Sequence, residues 1–176
     1  MIIQQANSNQ IALIYELYME AFPEDERKPF KLIEEKAHEG KMEILALEEE
    51  EKFVGLAITI LHQDMVLMDY FAIEASCRGQ GIGGRAIELL KERYQDRRMF
   101  LEIEVINENA ANNAERIRRK AFYKSHGLTE AKIYVSLFGV EMELLTVNCE
   151  LTYDEYYSVY AETFGDFVGK NVYQII

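Results

Sequence analysis

The sequence has few cysteines, no long apolar run and no excess of positive charge, and each shortage excludes a class of protein. Its 176 residues include only Cys77 and Cys149. They form no Cys-x-x-Cys or Cys/His spacing, so neither a disulfide framework nor a structural metal site is expected. The longest apolar run, residues 54–61, is far shorter than a membrane span. The first residues turn polar at once, unlike a signal peptide, so we expect a soluble cytoplasmic protein with no membrane partner.

Positive charge is concentrated in one part of the chain. The net charge of −12 argues against non-specific binding to nucleic acid, which requires a cationic surface. Residues 78–124 nevertheless carry 11 Lys and Arg against 7 Asp and Glu, and the other residues carry 8 against 24. The cationic segment suits an anionic cofactor. The acidic remainder either attracts a cationic substrate or serves solubility.

The length favours one domain with a single core, and hydrophobic periodicity gives the order β-α-α-β-β-β-α-β-α-β-β-α. The acidic residues 48–51 read as the tip of a hairpin. Asn7, Ser8 or Asn9 can cap the first helix, and Thr152-x-x-Glu155 has the spacing of a capping box. The predicted strands are 2–6, 42–47, 53–61, 65–73, 99–105, 131–138 and 140–147; the later helices include 110–125 and a last one ending near residue 164.

A glycine-rich loop, Arg78-Gly79-Gln80-Gly81-Ile82-Gly83-Gly84, lies between a predicted strand and a predicted amphipathic helix. Closely spaced glycines allow positive φ and let backbone N–H groups point at one place, where the helix adds its own unpaired amides. This context predicts a site for a phosphorylated cofactor. Two fingerprints fit the letters: Gly-x-Gly-x-x-Gly of dinucleotide-binding domains, and Arg-x-x-Gly-x-Gly of the pyrophosphate loop of acetyltransferases.

The position of the loop favours the second fingerprint. A dinucleotide-binding domain places its glycines after the first strand, within successive βαβ units, with an acid near the end of the second strand. Glu102 or Glu104 could mimic that acid. Here, however, three consecutive strands precede the loop and only one βαβ unit follows it.

A second segment supports the same reading. Residues 118–128, Arg-Arg-Lys-Ala-Phe-Tyr-Lys-Ser-His-Gly-Leu, place Tyr123 four residues before a helix-ending glycine. This segment and the glycine loop resemble the GCN5-related N-acetyltransferase (GNAT) family over residues 2–147. The resemblance implies one α/β domain of mixed architecture. Its mostly antiparallel central sheet has about seven strands flanked by helices, and the chain adds a C-terminal helix.

One departure concerns the helix that carries Tyr123. Many relatives have an Asn seven residues before the Tyr and an Ala three residues after that Asn, but this chain has Arg116 and Arg119. Cofactor contacts from this helix are therefore not transferred. Nearby asparagines either substitute for them or cap the helix; these are Asn107, Asn109, Asn112 and Asn113.

The resemblance implies acetyl-coenzyme A as donor and a primary amine of a small molecule or a peptide as acceptor. An amine is mostly protonated near neutral pH, so a base must take its proton before it attacks the thioester. Glu102 and Glu104 alternate with apolar residues on one strand, and Glu104 is the preferred base or amine anchor, with Asp69 the second choice. Tyr123 is the expected general acid for the leaving thiolate.

The resemblance also assigns the donor site. A backbone N–H near residues 71–73 is expected to stabilise the oxyanion, and the glycine loop to hold the pyrophosphate. The implied cofactor-binding residues are Phe71, Ala72, Ile73, Arg78, Gly79, Gln80, Gly81, Ile82, Gly83 and Gly84.

Two functions remain open at this point. The first is an acetyl-coenzyme A-dependent N-acetyltransferase, and the second is a non-catalytic acyl-coenzyme A sensor or interaction module of the same fold. Residues 1–148 are expected to form the acetyltransferase domain. Residues 149–176 are expected to form a helical extension that packs on it, with a homodimer contact or a lid over the amine site as alternatives.

Overall fold

The runs rich in β-branched and apolar residues form strands in the computed structural model, which describes residues 1–175. The hydrogen-bonded strand order is β1-β2-β3-β4-β5-β7-β6-β8. The predicted mixed α/β fold, with its mostly antiparallel sheet, is thereby confirmed. The strands are β1 (Ile2–Gln5), β2 (Met42–Glu49), β3 (Lys52–His62), β4 (Met65–Ile73), β5 (Arg98–Glu104), β6 (Thr129–Leu137), β7 (Val140–Val147) and β8 (Val172–Ile175).

The helices follow the predicted order, and the extra C-terminal helix is present. Short 3-10 turns at Glu24–Glu26 and Ala75–Cys77 connect them to neighbouring elements. None of the helices in the described residues is both long and apolar enough to cross a membrane. The helices are α1 (Ser8–Ala21), α2 (Phe30–His38), α3 (Ile82–Arg93), α4 (Asn113–Ser125), α5 (Tyr153–Phe164) and the single turn α6 (Asp166–Gly169).

The chain divides into two compact units, and the first comprises Met1–Leu61 and Met68–Gln95. In it, β1 and β2 pair antiparallel, and β2 pairs with β3 across a tight turn in which Glu50 and Glu51 both have positive φ. Asn7 caps α1, because its side chain accepts hydrogen bonds from the N–H groups of Asn9 and Gln10 at 3.0 and 3.1 Å. The buried face of α1 includes Ile14, Leu17 and Tyr18.

The second unit comprises His62–Leu67 and the residues from Asp96 onward. Its strands β5 and β7 pair antiparallel from Met99↔Val147 to Glu104↔Met142, and β6 pairs with β7 on the other side. Thr152 and Glu155 form the predicted capping box at the start of α5. This helix buries Tyr156 and Tyr160 completely.

Strand β8 is an addition to the seven strands expected from the sequence. It pairs antiparallel with β6, from Tyr134↔Ile175 to Leu137↔Val172. The Phe138 N–H donates to the Asn171 carbonyl at 3.0 Å just before the strand begins. The sequence predicts a helical extension over this part of the chain, and only the pairing with β6 reveals the strand.

Gly55 on β3 lies where another backbone passes close by. A Cβ added at this position would meet the carbonyl oxygen of Ala72 on β4 at 2.5 Å. No Cβ tolerates that distance, so any larger residue must push β3 and β4 apart. The glycine therefore fixes how closely the end of β4 approaches β3.

We predict that Gly55→Ala destabilises the protein by about 1–3 kcal/mol, the usual range for overpacking. Hydrogen exchange should become faster in the strand ends around residues 53–55 and 72–74, where the Glu74 N–H donates to Val54. Gly40→Ala is the matched control, because Gly40 has positive φ but nothing within 4 Å of an added Cβ. Exchange that is equally slow in both variants at these strand ends would contradict the steric argument.

Candidate functional site

The glycine loop connects the end of β4 to the start of α3. Gly79 and Gly81 have φ of +76° and +75°, a left-handed conformation that costs other residues about 1–2 kcal/mol. Gly81 is the N-cap of α3 and has no side chain to accept from the first amides of the helix. A helix start capped in this way leaves its N–H groups and its positive dipole end available to an anion.

The space beside the loop is open. A Cβ at Gly79 would meet nothing within 4 Å, and one at Gly81 would meet only an Arg85 guanidinium nitrogen at 4.0 Å. Backbone conformation, rather than crowding, therefore requires these two glycines. The open space is what a bulky phosphate group needs, so the loop fits the predicted pyrophosphate.

Polar side chains brace the loop. Arg78 Nε donates to the Ile73 carbonyl at 3.0 Å, and Gln80 Nε2 donates to the Ser76 carbonyl at 3.1 Å. Arg85, in the first turn of α3, forms an ion pair with Glu49 and remains half exposed. Two guanidinium groups thus lie on or beside the loop, which adds positive potential to the helix start.

Apolar side chains fix the loop against the strands that precede it. Ile82 and Ala86 on α3 form one buried cluster with Leu47 and Val54, and partly buried Phe71 and Ile73 on β4 and Cys77 pack against it. The structure therefore holds the predicted donor strand, residues 71–73, and the predicted donor loop in one packed group.

Asp69, on the same strand, is almost completely enclosed. Its side chain is 3 % exposed, and both carboxylate oxygens accept from Lys28 Nζ, at 2.8 and 2.9 Å. The ammonium group also lies 5.1 Å from the centre of the Tyr70 ring. The sequence gives no sign of this pair, because its members are 41 residues apart.

Glu102, on β5, meets the C-terminal helix. The buried hydroxyl of Tyr160 donates to both of its oxygens at 2.9 Å, and the buried hydroxyl of Tyr156 also donates to it. The aromatic stripe of α5 therefore brings two phenols to a candidate site residue. The spacing in the sequence shows the stripe but not what it contacts.

Glu104, at the end of β5, is 5 % exposed and meets α4. It forms ion pairs with Arg116 at 2.7 Å and Arg119 at 3.0 Å, and Asn112 Nδ2 donates to both oxygens at 3.2 and 3.3 Å. Arg116 also donates to the Val105 carbonyl at 2.8 Å. The two arginines that depart from the family pattern thus tie α4 to β5.

Tyr123 is the one buried residue of α4 within the described part of the chain. Burial raises the pKa of its phenol to about 12, and the nearby Arg119 guanidinium lowers that pKa by a smaller amount. At neutral pH the phenol is therefore protonated and able to donate. Glu104 forms an ion pair with Arg119, the cation whose charge acts on the Tyr123 phenol.

The nearby asparagines have local partners. The Asn107 side chain accepts from the Asn109 N–H, and the Asn113 side chain accepts from the Asn107 N–H, each at 2.9 Å. These bonds shape the turn before α4, which starts at Asn113 rather than at the predicted residue 110. Within residues 1–175, no group of His, Cys, Asp or Glu is arranged to hold a metal ion.

A mostly antiparallel sheet whose fourth strand leads through a glycine loop into a helix is the arrangement that the sequence resemblance implied. The acetyltransferase (GNAT) family model matches residues 11–127, so the chain belongs to this family. The comparison with curated proteins gives no match.

Solved structures show the same fold at low sequence identity. A GNAT-family protein from Bacteroides thetaiotaomicron is 20% identical, with a TM-score of 0.79 over 96% of this chain and 99% of that one. An aminoglycoside 6'-N-acetyltransferase from Enterococcus faecium is 16% identical, with a TM-score of 0.62 over 84% and 96%. A GNAT acetyltransferase from Elizabethkingia anophelis, solved with acetyl-CoA bound, is 17% identical, with a TM-score of 0.61 over 85% and 97%.

We predict that the burial of Tyr123 makes the protein more sensitive to alkali. A phenol whose pKa rises from about 10 in the unfolded chain to about 12 in the folded protein stabilises the fold below pH 10. That contribution, at most about 2–3 kcal/mol, is lost as the pH rises towards 12. Tyr123→Phe should therefore lose less unfolding free energy between pH 10 and 12 than the wild type.

Urea unfolding at a series of pH values measures this difference. Tyr173→Phe is the control, because it makes the same substitution at a side chain that is 54 % exposed rather than buried. If the unfolding free energy of Tyr123→Phe falls with pH as steeply as that of the wild type, burial does not raise the pKa of the Tyr123 phenol.

Proposed function

We propose that the protein is an N-acetyltransferase that moves the acetyl group of acetyl-CoA directly to a primary amine of a small molecule or a peptide. The observation that carries this proposal is the glycine loop, whose left-handed Gly79 and Gly81 open the start of α3 to an anion directly after β4. Family membership supports acyl transfer, and the acetyl-CoA bound to the Elizabethkingia relative supports the donor.

In this proposal the loop backbone from Arg78 to Gly84 binds the pyrophosphate of the donor, and residues 71–73 bind nearer its thioester. Backbone N–H groups suit both tasks, since they are fixed in place before the donor arrives. Arg78 and Arg85 contribute charge. The apolar cluster that joins β4 to α3 fixes the position of the loop relative to the strand.

The reaction requires one proton to be removed and one to be supplied. The neutral amine attacks the acetyl carbon, a C–N bond forms and the C–S bond breaks, and the thiolate leaves. We propose Tyr123 as the general acid that protonates this thiolate. Its high pKa keeps it protonated at neutral pH, as an acid must be, although the same value makes the proton harder to release.

The three candidate carboxylates differ in their partners. Glu104 faces two guanidinium groups, which stabilise its charge, so we propose that it mainly positions α4 and through it Tyr123. Glu102 accepts from hydroxyl groups, which can themselves pass a proton, so we propose it as the base, acting through Tyr156, Tyr160 or water. We propose Asp69 as an anchor for the amine.

The second candidate function is a non-catalytic acyl-coenzyme A sensor of the same fold. The observation that favours it is that Glu104 forms ion pairs with both Arg116 and Arg119. These residues stand where many relatives have the Asn and Ala of the donor-binding helix. A sensor would bind the donor through the loop alone.

We propose residues 1–148 as the acetyltransferase domain and residues 149–176 as an extension packed on it, acting in the cytoplasm. The extension contributes α5, whose tyrosines meet Glu102. A homodimer contact through this extension stays a prediction. The net charge of −12 supports a cationic amine rather than nucleic acid as partner.

Thiol release separates the two functions. We expect acetyl-CoA to raise the melting temperature, and at least one class in a panel of polyamines, aminoglycosides and peptides with a free N-terminus to cause release of free coenzyme A.

Tyr123→Phe should lower kcat by about 10²-fold or more, as loss of a general acid does, while acetyl-CoA still raises its melting temperature. Tyr134→Phe, on an exposed strand position, is the control. Firm acetyl-CoA binding without release by any amine would favour the sensor, and an unchanged kcat for Tyr123→Phe would remove its assigned role.

We predict that Gly81→Ala weakens acetyl-CoA binding by about tenfold. A side chain at φ +75° strains the loop by about 1–2 kcal/mol, and the relaxed loop no longer aims its amides at one point. Isothermal titration calorimetry with acetyl-CoA measures the change in Kd.

Gly139→Ala is the matched control, because Gly139 has φ +86° in the turn between β6 and β7 and no neighbour within 4 Å of an added Cβ. It should lose similar stability without any change in Kd. The same Kd for both variants would show that the loop conformation does not matter for the donor.

A further inference from the structure

The surroundings of Asp69 form a site for a primary ammonium group. The carboxylate is 3 % exposed and accepts from Lys28 Nζ through both oxygens, at 2.8 and 2.9 Å. The same nitrogen lies 5.1 Å from the centre of the Tyr70 ring. A buried carboxylate beside an aromatic face is a combination that binds alkylammonium ions by charge-assisted hydrogen bonds and by cation–π attraction.

A cluster of aromatic side chains stabilises the wall of this site. The Tyr70 ring packs edge-on against Tyr18 at 4.8 Å and against Phe22 at 4.9 Å between ring centres. Phe30, at the start of α2, lies 5.5 Å from Tyr18. Rings held from several sides do not collapse when an occupant leaves, so the site can persist without its lysine.

The backbone of Lys28 is fixed independently of its side chain. Its N–H donates to the Tyr70 hydroxyl at 3.0 Å, and its carbonyl accepts from the Tyr18 hydroxyl at 2.9 Å. The Tyr70 hydroxyl in turn donates to the Glu26 carbonyl at 3.0 Å. The position of the backbone therefore does not depend on the ammonium contact, and 15 % of the Lys28 side chain reaches solvent.

We propose that Lys28 is an internal substitute for the acceptor, and that the ammonium group of the acceptor displaces it from Asp69 and Tyr70. The identity of the occupant as the acceptor rests on the proposed function. The ammonium site itself rests on the contacts of Lys28 with Asp69 and Tyr70. The occupant carries its amine on an unbranched alkyl arm, as Lys28 does. An aliphatic diamine or a lysine side chain fits this description.

The displacement has a thermodynamic consequence. A tethered amine competes at an effective concentration of about millimolar, so a free amine must exceed that level to enter the wild-type site. Removing the lysine side chain abolishes the competition. It also leaves a buried carboxylate without its ion-pair partner, which destabilises the fold until a cation returns.

The first experiment is a rescue by n-butylammonium chloride at neutral pH, followed by melting temperature, without acetyl-CoA. We expect a saturable rise for Lys28→Ala that is several times larger than for the wild type. Lys28→Ala/Asp69→Asn, which lacks the carboxylate, should show no such rise. Tetramethylammonium chloride, a cation of equal charge without N–H donors, should have a much smaller effect.

Two results would overturn the ammonium site: an equal rise in Lys28→Ala and in the double variant, or no rise in a folded Lys28→Ala. If Lys28→Ala does not fold alone, circular dichroism replaces the melting curve. Recovery of the helical signal on adding n-butylammonium then supports the site, and failure to recover it overturns it.

The second experiment connects the site to the acceptor. In the thiol-release assay with 1,4-diaminobutane, Lys28→Ala should lower KM by about tenfold or more, because the internal competitor is gone. Rescue with an unchanged KM would show that the site binds ammonium ions but not the acceptor. Rescue without thiol release from any variant, with 1,4-diaminobutane and with every other amine of the panel, would reject the proposed function and leave the ammonium site standing.

Discussion

The left-handed conformation of Gly79 and Gly81 is the constraint on which the candidate donor site depends. It lets the chain leave β4, form one 3-10 turn and enter α3 within nine residues, with the helix start facing open space. Packing of Ile82 and Ala86 against Leu47 and Val54 then fixes the direction of the helix. Gly55 also helps to position the loop, since it lets β4 approach β3 closely just before the loop begins. An anion site of this kind uses backbone N–H groups, so it does not depend on particular side chains.

The acidic side chains that the sequence singled out are wholly or partly buried, and each meets donors that offset the cost of desolvation. Asp69 meets an ammonium group, Glu104 two guanidinium groups and Glu102 two phenols. On β7, Glu143 meets Lys120 at 2.7 Å. Because desolvated charges need such partners, removal of one of these donors leaves a carboxylate whose burial is no longer compensated.

Local rules predicted most of the elements. A cap at the start of α1, the capping box at Thr152, the acidic hairpin tip and the glycine loop all follow from spacing within a few residues, and the structure contains each of them. Of the three possible caps of α1, the structure uses Asn7. The partners of the candidate residues could not be predicted in this way. Lys28 and Asp69 are 41 residues apart, and Tyr160 and Glu102 are 58 apart, so no periodic pattern relates them. Strand β8 was not predicted either: the sequence favoured a helical extension there, and only the pairing with β6 reveals the strand.

The departure at Arg116 and Arg119 has a physical meaning that the sequence alone does not give. Both side chains are engaged by Glu104, and Arg116 also donates to the Asn112 side chain at 2.8 Å and to the Val105 carbonyl. Glu104 therefore uses part of the donor capacity of both arginines, while the Arg119 side chain is still 43 % exposed. The two arginines thus hold α4 against β5. Under the proposed function, the pyrophosphate of the donor is bound mainly by the backbone of the glycine loop, with Arg78 and Arg85 beside it.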